Sequence, residues 1–271
     1  MMRLLSIIIA LVAAGLAAFG RQPVGIAFYD VDRIYDTIPA LFYNDEAYTP
    51  QGRYGWNSER YERKIRNTAA VIDSMALEIV ALWGVENEQV VRDLCSACRG
   101  EYSYLHRTLN TLDGMDFALL YYGDRFYPER AEVGRRYLLV IGELDGLRVG
   151  LAMCGDRSTG RWLAEDLRDN YPGLPLVVMG RVDGQKAARL GLRDAMARAE
   201  KAGRGNIRRA GRWEMRDRIL VDTAFKCPAG DVYIRRQLVD QKSGNPLGTF
   251  SGSIYRGGYG YSLPVFVYIG H

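Results

Sequence analysis

Short, nearly continuous apolar runs alternate with polar, glycine-marked breaks along this chain, and run length sorts them into strands and helices. Val24 to Tyr29, after Pro23, predicts a buried opening strand that ends in Asp30-Val31-Asp32-Arg33. Ser58 is placed to cap a helix running to about Leu77, with Ile65, Ala69, Ile72 and Met75 at helical spacing. Glu78 to Trp83 predicts a second buried strand, and Glu88 to Cys98 a second helix. Beyond Gly100 the pattern becomes strand-rich. Phe117 to Tyr122 is an apolar run, and Tyr137 to Glu143 joins Leu147 to Met153 through Leu144-Asp145-Gly146, a hairpin signal. A short helix over Arg161 to Asn170, a strand at Leu176 to Met179 and a helix from about Gln185 to Lys201 follow. Asn206 to Trp213 is expected as a basic loop, with strands at Arg218 to Val221 and Val232 to Ile234. The glycine- and tyrosine-rich stretch from Pro246 to Ser262 predicts a turn-rich loop leading into a closing strand, Leu263 to Ile269.

Strands apolar throughout are buried on both faces, and here they fall in two groups, each accompanied by helices. The expected architecture is therefore α/β: two packed mixed sheets flanked by helices. A doubly wound dinucleotide-binding domain is the competitor. It is disfavoured because no G-x-G-x-x-G follows the first strand and because the hairpins exclude an all-parallel sheet.

Composition narrows the setting more than the function. The first residues, Met1-Met2-Arg3 followed by apolar Leu4 to Ala18, have the plan of a secretory signal peptide. We expect a signal over residues 1–20, a single domain over 21–271, and a periplasmic or secreted protein. The apolar run is shorter than the roughly 20 residues a spanning helix needs, so no membrane span is expected after cleavage. The formal net charge of +4 is no argument for nucleic acid by itself. Four cysteines allow three pairings, and Cys95-Ser96-Ala97-Cys98 follows a helix rather than the strand a redox dithiol requires. Structural or inert cysteines are the expectation.

The candidate chemistry lies at the strand ends, in a recognisable order. Phe28-Tyr29-Asp30-Val31-Asp32 with Tyr35-Asp36-Thr37, Tyr48-Thr49-Pro50-Gln51-Gly52 with Trp56 and Arg60-Tyr61, Val85-Glu86-Asn87, and Gly114-Met115-Asp116-Phe117-Ala118-Leu119-Leu120-Tyr121 follow one another. So do Val178-Met179-Gly180, Trp213 with Asp217, and Gly257-Gly258-Tyr259 before Leu263-Pro264-Val265. This ordered set resembles the secreted bacterial type of the endonuclease/exonuclease/phosphatase superfamily, with the DNase I-like four-layer α/β sandwich. The resemblance implies a divalent-metal phosphodiesterase or phosphatase, in which carboxylates hold Mg²⁺ or a similar ion and histidines handle protons and phosphate charge.

Carried over residue by residue, the same resemblance implies that this machinery is missing. The metal-binding Glu falls on Gly84, a catalytic His on Met153, and the Asp of G-D-F-N-D on Arg181, with its Asn on Asp183. The Asp and His of S-D-H fall on Tyr261 and Ser262. Acidic character survives at Asp30 and Asp32. The two histidines, His106 and His271, stand at no motif position. The expectation is a non-catalytic binding protein with no cofactor, whose old cleft receives a protein or a phosphate-containing ligand. The alternative is a rearranged metal site on Asp30, Asp32 and Glu86, with Asp183 nearby and Arg181 on phosphate. Asp217 is expected to fix a neighbouring loop rather than to do chemistry. Arg208, Arg209 and Arg212 beside Trp213 are a candidate for polyanions, nucleic acid included, set against the ordinary reading of a solvated basic face.

Overall fold

The computed structural model describes residues 22–270; the expected signal segment and His271 lie outside them. In chain order the strands and helices are β1 Val24–Ile34, α1 Ser58–Met75, β2 Ile79–Val85, α2 Glu88–Ala97, β3 Ser103–Arg107, β4 Asp116–Tyr121 and β5 Phe126–Gly134. Next come β6 Tyr137–Leu144, β7 Leu147–Cys154, α3 Arg157–Gly160, α4 Leu163–Asn170, β8 Leu176–Gly180, β9 Leu192–Asp194 and α5 Ala197–Lys201. The chain closes with β10 Ile207–Arg209, β11 Arg212–Glu214, β12 Arg218–Asp222, β13 Lys226–Val232, β14 Phe250–Ser251, β15 Ile254–Tyr255 and β16 Val265–Gly270.

Twelve of these strands form two six-stranded sheets, in the orders β13-β16-β1-β2-β4-β3 and β5-β6-β7-β8-β12-β9. Each sheet contains one parallel pair, β1 with β2 and β7 with β8, and antiparallel neighbours otherwise. The parallel pairs are those whose connections run through helices, as a crossover requires.

Side-chain alternation explains why the apolar runs are unbroken. In β6, β7, β8 and β12, Val140, Met153, Val177 and Ile219 belong to the core between the sheets, while their sequence neighbours Leu139, Ala152, Val178 and Leu220 pack on the other face with Leu163 and Leu167 of α4. Period-2 geometry with both faces covered leaves no position for a polar residue. On the far side of the first sheet, α1 and α2 supply Ile65, Ile72, Val90 and Leu94.

The elements depart from the sequence reading in places that share a cause. The helix expected from Gln185 to Lys201 is divided: a 3₁₀ turn, Ala187–Leu190, stops at Gly191 in the left-handed region (φ +67), and Leu192 to Asp194 then pair with β12. The basic loop is a hairpin, β10 with β11, turned by Ala210 and Gly211 at positive φ. The expected strand at Val232 to Ile234 ends at Val232, having begun at Lys226. The helix expected from Arg161 to Asn170 forms as α4, Leu163–Asn170, and a separate short helix, α3, capped by Asp156, precedes it. Asn57, not Ser58, caps α1 by accepting from the Arg60 amide. The strands β3 and β5 were not anticipated, being edge strands with mixed exposure.

Candidate active site

The carboxyl ends of β1, β2, β7 and β8 meet at one edge of the sandwich, where a ligand crevice is expected in an open α/β sheet. A cleft of about 730 Å³ lies there, with Asp30, Gly84, Asp156, Arg181, Arg216 and Tyr261 among its walls. The floor is shaped by an irregularity in β1. After Asp30 its pairing with β2 slips, resuming at Ile34 opposite Val85. Within the slip Asp32 (φ 60) and Arg33 (φ 58) both take left-handed backbone, a conformation uncommon for residues with a Cβ. Gly84 faces the kink with φ +97, and a Cβ there would lie 3.2 Å from the Arg33 amide nitrogen and 3.8 Å from Asp30 Oδ1.

Asp30 is held by cations of the protein itself. Its Oδ2 accepts from Arg181 Nη2 at 2.9 Å and from Arg216 Nη2 at 2.7 Å, while Oδ1 accepts the Asp32 amide at 3.1 Å. Burial works to raise the Asp30 pKa, but Arg216 and Arg181 together outweigh it and hold the carboxyl below its ordinary value. Arg216 also donates to Asp217 Oδ2 and to Ser262 Oγ, each at 2.9 Å. Burial opposes its charge, yet Asp217 and Asp30 push its pKa above the usual guanidinium value. Asp217 is fixed by Asn206, whose Nδ2 donates to it at 2.6 Å and whose Oδ1 accepts its amide at 3.2 Å. Asp217 thus links Arg216 to Asn206.

Behind this layer lies a second acid–base pair. Asp32 Oδ2 accepts the Thr249 amide at 3.2 Å, and the Lys64 ammonium donates to Thr249 Oγ1 at 2.9 Å and to the Tyr259 carbonyl at 2.6 Å. Burial drives Asp32 up to about 6, against the pull of Lys64, and drives Lys64 down to about 8, against Asp32 and Asp30. Lys64 thus ties α1 to the glycine-rich C-terminal loop, which the Tyr54–Phe250 ring pair (centroids 4.6 Å apart) holds from the other side.

The positions singled out in the sequence divide clearly. Asp30, Asp32, Gly84, Arg181 and Tyr261 line the cleft, and Ser262 touches Arg216 from beneath. Tyr261 donates its hydroxyl to the Phe250 carbonyl at 3.0 Å. Met153 is fully buried between the sheets. Asp183 faces a neighbouring groove and accepts the Gln185 amide. Glu86 is buried, accepting from the Asp36 amide at 2.5 Å and the Tyr43 hydroxyl at 3.0 Å, and burial raises it to about 7. The alternative cluster of Asp30, Asp32, Glu86 and Asp183 is therefore not assembled. Arg208 bonds the Gly211 and Ser243 carbonyls and lies over Trp213; Arg209 faces the same groove as Asp183, within 3.9 Å of Glu214; Arg212 is exposed on β11.

Two residues central to this layout, Arg216 and Lys64, were not selected from the sequence. Arg216 immediately precedes the recognised Asp217, and Lys64 interrupts the apolar stripe of α1 between Tyr61 and Thr68. Both were readable signals.

The donor set does not suit the divalent ion that the fold implies. Among the described residues no group of three or more His, Cys, Asp or Glu is arranged to hold a metal. A hard cation needs carboxylate oxygens free to converge on it, and Asp30 commits both of its oxygens to protein donors. His106 pairs with Asp116 at 3.1 Å across β3 and β4, outside the cleft wall. Burial pushes the Cys95 and Cys98 thiols up to about 11 and 12, away from the thiolate that redox exchange uses.

Residues 25–147 match the family model described as Endonuclease/Exonuclease/phosphatase family. No curated protein matches. Among solved structures, an endonuclease/exonuclease/phosphatase family protein from Bacteroides thetaiotaomicron superposes with a TM-score of 0.61 at 14% identity, covering 92% of this chain and 98% of its own. A mannosyl-6-phosphatase from the same species gives 0.60 at 12% identity, covering 92% and 100%. A humanized D. rerio TDP2 gives 0.58 at 11%, covering 92% and 99%. Sequence and architecture agree: the chain has the DNase I-like fold of the endonuclease/exonuclease/phosphatase family, and residues 25–147 carry that family's sequence pattern.

Proposed function

We propose that this protein is a non-catalytic member of its fold, exported to the periplasm or beyond the cell, that uses the old catalytic cleft to bind rather than to cleave. The observation that carries this reading is the capture of Asp30 by Arg181 and Arg216. Where a metal enzyme would gather acids around an ion, this cleft gathers guanidiniums around an acid, and a divalent cation would meet two fixed positive charges. Among the described residues no His lines the cleft to move a proton.

The remaining walls favour an anionic ligand with a flat or ring-bearing part. Arg135 is exposed at the rim, and Tyr48, Tyr54, Trp83 and Trp162 offer aromatic surface. The mannosyl-6-phosphatase neighbour makes sugar phosphates a sensible first ligand set.

The test is thermal unfolding with Mg²⁺, Mn²⁺ or Ca²⁺ against chelator, run beside hydrolysis of a generic phosphodiester and of plasmid DNA. An ion at 100 times its Kd would add about 2.7 kcal/mol, a midpoint rise of several degrees for a chain of this size. We expect less than about 1 °C and no turnover. A rise of several degrees with turnover that Asp30→Ala abolishes would overturn the proposal.

A further inference from the structure

We propose that the two loops at the cleft mouth, residues 36–43 and 108–115, form a docking tip that inserts Ile38, Leu41, Phe42 and Leu112 into the surface of an anionic phospholipid bilayer. These four are the most exposed aliphatic or phenyl side chains of the described residues: Phe42 is 94% exposed, Leu41 and Leu112 are each 89%, and Ile38 is 71%. They are gathered at one place, because the loops pack together: the Tyr35 hydroxyl donates to the Asp113 carbonyl at 2.7 Å, and the Tyr43 ring lies against Gly114.

The exposure is built in rather than a failure to fold inward. Asp36 Oδ1 accepts the Ile38 amide at 2.6 Å, Asp45 Oδ2 accepts the Ala40 amide at 3.0 Å, and Glu86 holds the Asp36 amide and the Tyr43 hydroxyl. Asp36 and Asp45 thus serve the loop backbone, Asp113 beside Leu112 faces Arg136, and the backbone is braced while its apolar side chains stay in water. Contiguous exposed apolar side chains of this kind mark an interaction surface.

Shape and charge select the partner. Four side chains on two loop tips cannot cover the ~800 Å² per partner of a stable protein interface, but shallow insertion needs only a few apolar side chains with cations beside them. Arg136 stands 3.4 Å from Asp113, next to Leu112, and Arg53, Arg107 and Arg135 are exposed on the neighbouring segments. Cations beside apolar tips are attracted to anionic headgroups. This inference does not depend on whether the cleft turns over substrate.

The experiment places a tryptophan at the tip by Phe42→Trp and, as a control, at the opposite end of the second sheet by Tyr127→Trp. The full chain is mixed with vesicles of phosphatidylcholine alone or with phosphatidylglycerol, carrying brominated acyl chains as quenchers. The added emission at position 42 should shift to the blue and lose roughly half its intensity on the anionic vesicles, while that at position 127 is unchanged. Adding Leu41→Ser and Leu112→Ser should weaken partitioning about tenfold. The readout is local, so adsorption through another part of the chain does not count in favour. Emission at position 42 that ignores both kinds of vesicle refutes lipid docking and leaves the tip to a protein partner. Equal quenching at both positions, or partitioning untouched by the double serine variant, refutes it as well.

Discussion

Lys64→Met is the most informative single perturbation of this fold, because it removes a charge without removing bulk. Lys64 is 1% exposed and donates to Thr249 and to Tyr259, and Thr249 in turn donates its amide to Asp32. Hydrogen bonds to a charged group contribute about 1.5–3 kcal/mol each, and stranding the partner of a buried ion pair costs about 3–5 kcal/mol. Against these losses stands the relief of no longer burying an ammonium. A net loss of about 3 kcal/mol is the expected result at pH 7, where Asp32 is mostly ionised and Lys64 still mostly charged.

The pH dependence is what makes the experiment decisive. With Lys64 present, the folded Asp32 pKa of about 6 lies above the ordinary carboxylate value. Removing the cation takes away a lowering influence, so the variant's folded pKa rises further. A raised carboxyl pKa means that the folded state holds its proton more tightly than the unfolded chain, so stability falls as pH climbs through that window. At pH 5 Asp32 is largely protonated in both proteins, and the variant should lose only about 1–2 kcal/mol, mainly from the hydrogen bonds to Thr249 and Tyr259. Urea titrations at pH 5 and pH 7, both below the Lys64 pKa of about 8, measure this directly. With a slope of about 3 kcal/mol/M the pH 7 midpoint should drop by about 1 M. A loss of the same size at both pH values would refute the coupling of Lys64 to Asp32.

Three further outcomes follow from the same geometry. Gly84→Glu, which places there the acid that the resemblance implies, should destabilise the protein by about 2 kcal/mol or more and yield no phosphodiesterase activity, because the backbone at φ +97 suits glycine and the new Cβ meets Arg33; denaturant melts and an activity assay check both. Asn206→Ala should cost about 3 kcal/mol in the same melts, since it releases buried Asp217 and the Arg216 and Asp217 amides together. In the native protein at pH 7, Cys95 should react with a thiol reagent roughly 100-fold more slowly than a free cysteine, the factor set by a thiol pKa raised from 9.0 to about 11.

How much of this was legible depends on which force set each element. The strands β1, β2, β4, β6, β7, β8, β12 and β16 could be read because burial on both faces removes polar residues from the sequence. Their order along the chain pointed to the two-sheet fold. The edge strands β3 and β5 are half in water, so Ser103, Arg107, Glu129 and Glu132 mask their period. The segment from 185 to 201 has helical composition, but Gly191 and the pairing of Leu192 with Asp222 override local propensity. In the cleft, Asp30, Gly84 and Arg181 were placed by motif. The Arg216–Asp30 bond joins residues 186 apart, and the Lys64–Tyr259 bond residues 195 apart; no local spacing encodes such contacts.

The two arginines on Asp30 also explain how a buried acid is stabilised at the end of β1. A buried carboxylate without a counter-charge is expensive, so Asp30 at the end of β1 requires a positive partner whether or not the site is catalytic. Arg181 on the β8 end and Arg216 ahead of β12 supply that charge from the second sheet. Asp217 and Asn206 then lock Arg216 in place, and Ser262 Oγ accepts from the same Nη2 where a catalytic imidazole is expected by resemblance. The same contacts that link the two sheets across the cleft therefore commit both oxygens of Asp30 to protein donors. Arg181→Ala would leave Asp30 dependent on Arg216 alone, raise its pKa, and make stability fall off at a higher pH on acidification than in the parent protein. An acid melt of Arg181→Ala that overlays that of the parent would show that Arg216 alone holds the Asp30 charge and would refute the shared capture of Asp30.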